Sequence, residues 1–297
     1  MTTRKKAESV LLAMTVIWGS TFVVMKLGLE YSSACLFVAL RFTLALVCFS
    51  LLFHKKIRMM SARAFRRGLF LGVLLGVGLI VQNVALKDTT ASKSAFVTGT
   101  MVIFTPMVQL IVERRLPKIG NVLGVIIVTL GLFFLTSPTG GGFTMGDIFT
   151  LAAALLFGIY IVYIDVYTKE DDFVQLGFVQ LAVTAVIAWL LVPWEQTKFI
   201  PSWPLAMQIL YMALFATVLT TYANTKYQKY STPTRAAILY TFEPVVSAIL
   251  AYLILGETLG VLGAIGASLI IFGILISELS DSWLAKLRWR TRWAEED

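Results

Sequence analysis

The sequence predicts an all-α polytopic membrane protein with ten transmembrane helices, built as two inverted five-helix repeats. Three observations predict it. Of 297 residues, 58% are hydrophobic and only 14% charged, whereas a soluble domain carries about a quarter charged residues. The apolar residues fall in runs of about 18–22, each long enough to cross a ~30 Å hydrocarbon core as a helix. A polar motif beginning at Lys87 recurs from Lys229, on the opposite side of the membrane. The composition excludes a water-soluble enzyme.

The apolar segments cover roughly 8–28, 33–53, 67–86, 94–113, 119–136, 147–167, 173–192, 206–226, 235–255 and 261–278. Helix 1 follows Arg4-Lys5-Lys6 and has the length of a full span with no small-residue cleavage site, so it reads as a retained helix. Helix 2 holds both cysteines, Cys35 and Cys48, which pack as small hydrophobes and imply no disulfide framework. The single histidine, His54, falls in the basic loop that follows. In helix 3, Gly68, Gly72 and Gly76 permit close helix approach, as do Gly266 and Gly273 in helix 10. Breakers set the remaining limits: Ser137-Pro138-Thr139-Gly140-Gly141-Gly142 after helix 5, and Pro201-Ser202-Trp203-Pro204 before helix 8. The basic tail from Trp283 to Trp293 reads as an interfacial helix end.

Orientation follows from the 25 lysines and arginines. Twenty fall on one side: the N-terminus, the loop from Lys55 to Arg67, Arg114, Arg115, Lys118, Lys169, Lys226, Lys229, Arg235 and the tail. Three (Lys87, Lys93 and Lys198) fall on the other, and Lys26 and Arg41 lie inside spans. This bias places both termini in the cytoplasm. The net charge of +8 is thereby explained by topology and anionic headgroups, not by nucleic acid.

The repeat separates transporters from most other ten-helix proteins. Lys87-Asp-Thr89-Thr90-Ala-Ser92-Lys93-Ser-Ala95 precedes helix 4, and Lys229-Tyr-Ser231-Thr232-Pro-Thr234-Arg235-Ala-Ala237 precedes helix 9. The same offset carries Gly124 onto Gly266, Gly131 onto Gly273 and Gln82 onto Asn224, while Trp18-Gly19 falls on Phe157-Gly158 at a slightly shorter one. The domains are therefore 1–138 and 139–280, five helices each, with residues 281–297 as a cytoplasmic tail. Five is odd, so the second half enters the membrane from the opposite side. Rocking one set of helices against the other then exposes a central site alternately to each side.

Several of these residues resemble the drug/metabolite transporter superfamily in its EamA-type branch. They are Trp18-Gly19, Arg41-Phe42, the stretch from Thr89-Thr90-Ala91 to Pro106, and above all Phe242-Glu243-Pro244 followed by Leu255-Gly256-Glu257-Thr258-Leu259. The resemblance covers residues 8–278. It implies a multi-pass inner-membrane carrier with a central cavity, most often an exporter of small organic, amino-acid-like metabolites. The first half departs from the pattern, with Val112-Glu113-Arg114-Arg115 where a Leu-Gly-Glu is expected, and Pro106 lies one turn out of register with Pro244.

The candidate substrate-binding residues are Trp18, Phe22, Gln82, Thr98, Tyr160, Tyr222, Asn224, Tyr240 and Glu243; Glu243 and Arg41 are the coupling candidates. Glu243 lies roughly 12 Å into helix 9 at 1.5 Å per residue. An ionisable group at that depth marks a pathway, a proton relay or a buried partner. Two readings stand: Glu243 binds a proton or a cationic substrate group, or it pairs with Arg41 and locks two helices. An unpaired Arg41 favours anions. Gln82 and Asn224 are either interhelical glue or substrate ligands, and Trp18 with Phe22 is an aromatic wall or plain packing. Asp165 reads as interfacial and structural, and Glu257 as orienting the last hairpin.

The expected partners are a small-molecule substrate and the lipid bilayer, with the protein a monomer or homodimer and no cofactor or metal. Unlike halves argue against a channel, which repeats its charges around an axis. No Ser/His pair, aspartate pair or metal-ligand spacing supports an intramembrane enzyme. The alternative that remains is a lipid flippase of the same fold.

Overall fold

The structure, a computed structural model, describes residues 3–114, 116–135, 144–258 and 260–293, with side chains up to Phe134 and Ser277 in the second and last stretches. The breaker at Ser137–Gly142, Arg115, Leu259 and the side chains of the tail from Trp283 to Trp293 lie outside the described residues. Among the described residues the chain forms helices α1 (Thr3–Gly28), α2 (Ala34–Arg58), α3 (Ala62–Ala85) and α4 (Ala91–Glu113). These are followed by α5 (Ile119–Leu135), α6 (Met145–Thr168), α7 (Phe173–Trp194), α8 (Trp203–Tyr230), α9 (Pro233–Leu255) and α10 (Val261–Trp293). Eight of them are long and apolar enough to span a membrane, and α5 and the Val261–Ser277 part of α10 are shorter apolar helices. His54, expected in a loop, is carried on the last turns of α2 and is exposed.

Only 39–56% of each spanning window is buried. Each helix therefore keeps an apolar face turned outward, as at Leu51, Ile111 and Phe133, which is the surface a bilayer covers and water does not. Inside, α5 packs on α10 and α2 on α7. α3 packs on α6 and α7, as α8 does on α1 and α2, and α4 packs on α6 as α9 does on α1. The glycines make these seams. An added Cβ on Gly68, Gly72 or Gly76 would meet Val179, Val183 or Thr184 of α7, and Gly124 and Gly131 lie against the backbone carbonyls of Gly273 and Gly266.

α4 and α9 are both broken near mid-depth. The breaks are at Thr100 (φ −63°, ψ −10°) and Thr241 (φ −68°, ψ −3°), and each hydroxyl bonds a carbonyl one turn back, Val97 or Ile238. The prolines are out of register, but the two breaks fall at nearly equivalent places in the repeat. Opposite each break, a glycine of the other half admits the bent backbone. A Cβ on Gly19 would sit 2.7 Å from the Glu243 carbonyl oxygen, and one on Gly158 would sit 3.5 Å from that of Met101.

The repeated motif builds the bundle's ends. Thr90 caps α4 by accepting from the Lys93 N–H, and Thr232 caps α9 by accepting from the Arg235 N–H. Lys93 then pairs with Asp147 at 2.6 Å, and Thr89 donates to the same carboxylate. At the other end Arg235 Nη2 donates to Glu8 at 3.1 Å, with Ser231 on the same carboxylate. Glu8 and Asp147 are themselves related by the offset that carries Trp18 onto Phe157, so each motif clasps an acid on the first helix of the opposite half. Ser92 donates its N–H and hydroxyl to Glu257, which also accepts from the Ala91 N–H. Thr234 donates likewise to Gln109. Glu257 therefore holds the start of α4.

Candidate functional site

Between the two halves lies a cavity with about 970 Å³ of empty space, its opening included, walled by α1, α2, α3, α4, α6, α8 and α9. Nine of the ten candidate residues line it: Trp18, Phe22, Arg41, Gln82, Thr98, Tyr160, Asn224, Tyr240 and Glu243. Tyr222 is the correction. Its ring stacks on Phe53 at 5.4 Å and meets Phe173 edge-on, and its hydroxyl accepts from Lys226 at 2.9 Å. Close to Asn224 in sequence, Tyr222 is turned from it by about 200° around the helix, to the opposite face.

Glu243 is 9% exposed, and its carboxylate accepts no hydrogen bond from the described residues. The break at Thr241 and Pro244, one residue on, fix it at the bend. Arg41 does not pair with it. The guanidinium donates instead to Thr217 Oγ1 (Nε, 2.7 Å) and to the Ala216 carbonyl (Nη2, 3.0 Å). Both acceptors belong to a π-helical turn, Leu214–Leu219, whose extra residue frees carbonyls from the helical ladder. The locking ion pair is therefore excluded. The cavity displays one carboxylate and one guanidinium that do not neutralise each other.

The amides sit in equivalent pairs. Gln82 Nε2 donates to Thr98 Oγ1 at 2.7 Å, and Tyr240, the repeat equivalent of Thr98, lies 2.8 Å from Asn224 Oδ1 and 3.0 Å from Gln228 Oε1. One hydroxyl proton faces two acceptors there, so only one of the two amide oxygens receives it at a time. Tyr160 donates to Gln180 at 2.7 Å. Trp18 meets Tyr240 edge-on at 5.3 Å and forms part of an otherwise apolar wall with Phe22, Leu75, Leu79, Met101 and Phe157. Sequence reasoning missed Thr217 and Thr220. Both line the cavity although their hydroxyls bond their own helix, at the Met212 and Thr217 carbonyls, as threonines in spans usually do.

A charge-bearing cavity thus lies at the centre of a helical bundle with lipid-type outer faces, the arrangement of a multi-pass membrane transporter. The chain belongs to the EamA-like transporter family, whose model matches residues 5–137 and again 144–279. An uncharacterized transporter of Archaeoglobus fulgidus is 29% identical over 93% of this chain and 87% of its own. The uncharacterized transporter YoaV of Bacillus subtilis is 23% identical over 92% and 96%. The uncharacterized inner membrane transporter YedA of Escherichia coli K12 is 25% identical over 91% and 89%. A solved crystal structure superposes with a TM-score of 0.77 over 94% of this chain and 99% of its own at 17% identity, a likeness of fold alone.

Proposed function

We propose that the protein is a secondary carrier that exports a small zwitterionic, amino-acid-like metabolite across the inner membrane by alternating access, with both termini in the cytoplasm. One observation carries this reading: Glu243 and Arg41 line the same cavity without pairing. Charges buried in a bundle are costly unless they meet a partner, and a solute carrying an ammonium and a carboxylate supplies both. The ammonium meets Glu243, the carboxylate meets Arg41, and the aromatic wall receives an apolar side chain. Gln82 and Asn224 hydrogen-bond the remainder.

Counterflow in proteoliposomes tests it, with phenylalanine, phenylalanine amide and hydrocinnamate as probes. The zwitterion exchanges fastest, because each analogue leaves one buried charge without its partner. Glu243→Gln abolishes the preference for an ammonium while its melting temperature stays close to that of the parent, since no protein partner is stranded. Scrambling of a labelled lipid in the same vesicles, without counterflow of any probe, would favour the flippase instead.

A further inference from the structure

At the end of the bundle that carries Glu8 and Arg235 lies a second cavity, about 910 Å³ with its opening, between the ends of α4, α6 and α8. Asp165, on the last turn of α6, lines it and is 0% exposed. It does not reach solvent as an interfacial acid would. Its Oδ2 lies 2.5 Å from Lys169 Nζ, and its Oδ1 has no hydrogen-bond partner among the described residues. The other carboxylate of this cavity is Glu113, the last residue of α4, whose Oε1 is 3.8 Å from the same Lys169. Two carboxylates thus share the Lys169 ammonium, and a buried oxygen of one of them is left without a donor among the described residues. Such an oxygen costs desolvation that no contact offsets.

The other polar groups at this end of the bundle do not supply that donor. Arg67 of α3 is committed to Glu170 and Asp171. From the end of α8, Gln228 donates to the Ile161 carbonyl, and Lys229 lines the cavity. Tyr240 of α9 is within electrostatic reach, but its proton is directed at Asn224 or Gln228. Arg4 and Lys118 stand at the cavity wall.

Pseudo-symmetry sharpens the point. Asp165 falls on Lys26 at the offset that relates Trp18 to Phe157. Lys26 ties off its own end of the bundle, donating to the Leu86 and Thr89 carbonyls at 2.7 Å each. Where one half has a cation satisfied by carbonyls, the other has a carboxyl with an empty oxygen.

The two carboxylates also touch the clamp. Glu113 Oε2 accepts from Gln109 Nε2 at 2.7 Å, and Gln109 Oε1 holds the Thr234 N–H and hydroxyl at the start of α9, the helix that carries Glu243. We propose that Asp165 and Glu113 form a proton-binding site whose occupancy controls this clamp. A proton from the cavity adds to Asp165 Oδ1. Neutral Asp165 releases Lys169 to Glu113, Glu113 turns from Gln109 towards the ammonium, and the start of α9 is loosened. The role in transport rests on the carrier reading; the proton site itself does not.

The test uses full-length protein in nanodiscs and reads two signals against pH. The first is the infrared carbonyl band of protonated carboxyls, recorded in Glu243→Gln to remove the central carboxyl and again with Asp165→Asn added. The second is hydrogen exchange over residues 233–240 of the wild-type and Asp165→Asn proteins. A titrating band is expected in Glu243→Gln and is lost in the double variant. Exchange should rise several-fold on acidification of the wild type and be flat in Asp165→Asn. Should Asp165→Asn fail to fold, Glu113→Gln serves, and the band's midpoint must move. A band and an exchange response unchanged by these substitutions would overturn the proposal. If both signals behave as expected but no probe shows counterflow, the proton site stands and the carrier reading fails.

Discussion

Glu243, Arg41, Gln82 and Asn224 stand out in the sequence because polar groups are expensive in apolar spans, and the structure brings all four to one cavity. What spacing does not reveal is their partners. The expected alternative, Arg41 against Glu243, fails because a π-helical turn in α8 offers Arg41 a carbonyl and a hydroxyl instead, and nothing in the local residues announces that turn. Tyr222 misleads for the opposite reason: it is near Asn224 in sequence but across the helix from it. Gly19 carries a prediction at this scale. Its Cβ would sit 2.7 Å from the Glu243 carbonyl oxygen and from Val246 Cβ, so Gly19→Ala must push α1 from α9. Overpacking of this kind costs about 1–3 kcal/mol. The expected result is a lower melting temperature together with weakened substrate binding, while alanine at Gly256, which has open space around it but a φ of +68°, costs stability alone.

Among the elements, the spans and most of their limits are legible, because hydrophobic length reports them directly. The breaks in α4 and α9 are not, since the prolines that suggest them are out of register while Thr100 and Thr241, which share the broken geometry, read as ordinary span residues. Long-range caps are equally hidden. Glu195, between α7 and α8, accepts the N–H groups of Ala34 and Cys35 at the start of α2 and pairs with Lys87 at 2.9 Å. Burial pushes its carboxyl up, but the Lys87 ion pair and the N–H donors outweigh that and hold it below the ordinary carboxylate range. A group depressed on folding stabilises the fold at pH values above its unfolded pKa, and the contribution fades as pH falls through the folded value. Melting temperatures of the parent and Glu195→Gln should differ most at neutral pH and converge in acid. A constant gap would contradict this assignment.

For the whole molecule, the motif shared by Lys87–Ala95 and Lys229–Ala237 forecasts the pairing of the halves, and the structure gives it a purpose: Lys93 with Asp147 and Arg235 with Glu8 are equivalent clasps at opposite ends. That each motif would reach an acid of the other half was not legible, because Glu8 and Asp147 differ in residue type and flank. Orientation is testable by labelling in a cysteine-free background. Cysteine at exposed Gln196 should react with an impermeant reagent from outside, and cysteine at exposed Ala62 only after permeabilisation; reversed labelling would invert the topology.

For a site between the halves to open alternately to each side, the two end clamps must release in turn, and both are closed in this structure. Cysteine pairs replacing Ser92 with Glu257, or Gln109 with Thr234, put a reversible bolt across one end at a time. Oxidation of either pair should stop phenylalanine counterflow in proteoliposomes, and reductant should restore it. Counterflow at the unoxidised rate with either disulfide fully formed would contradict the account.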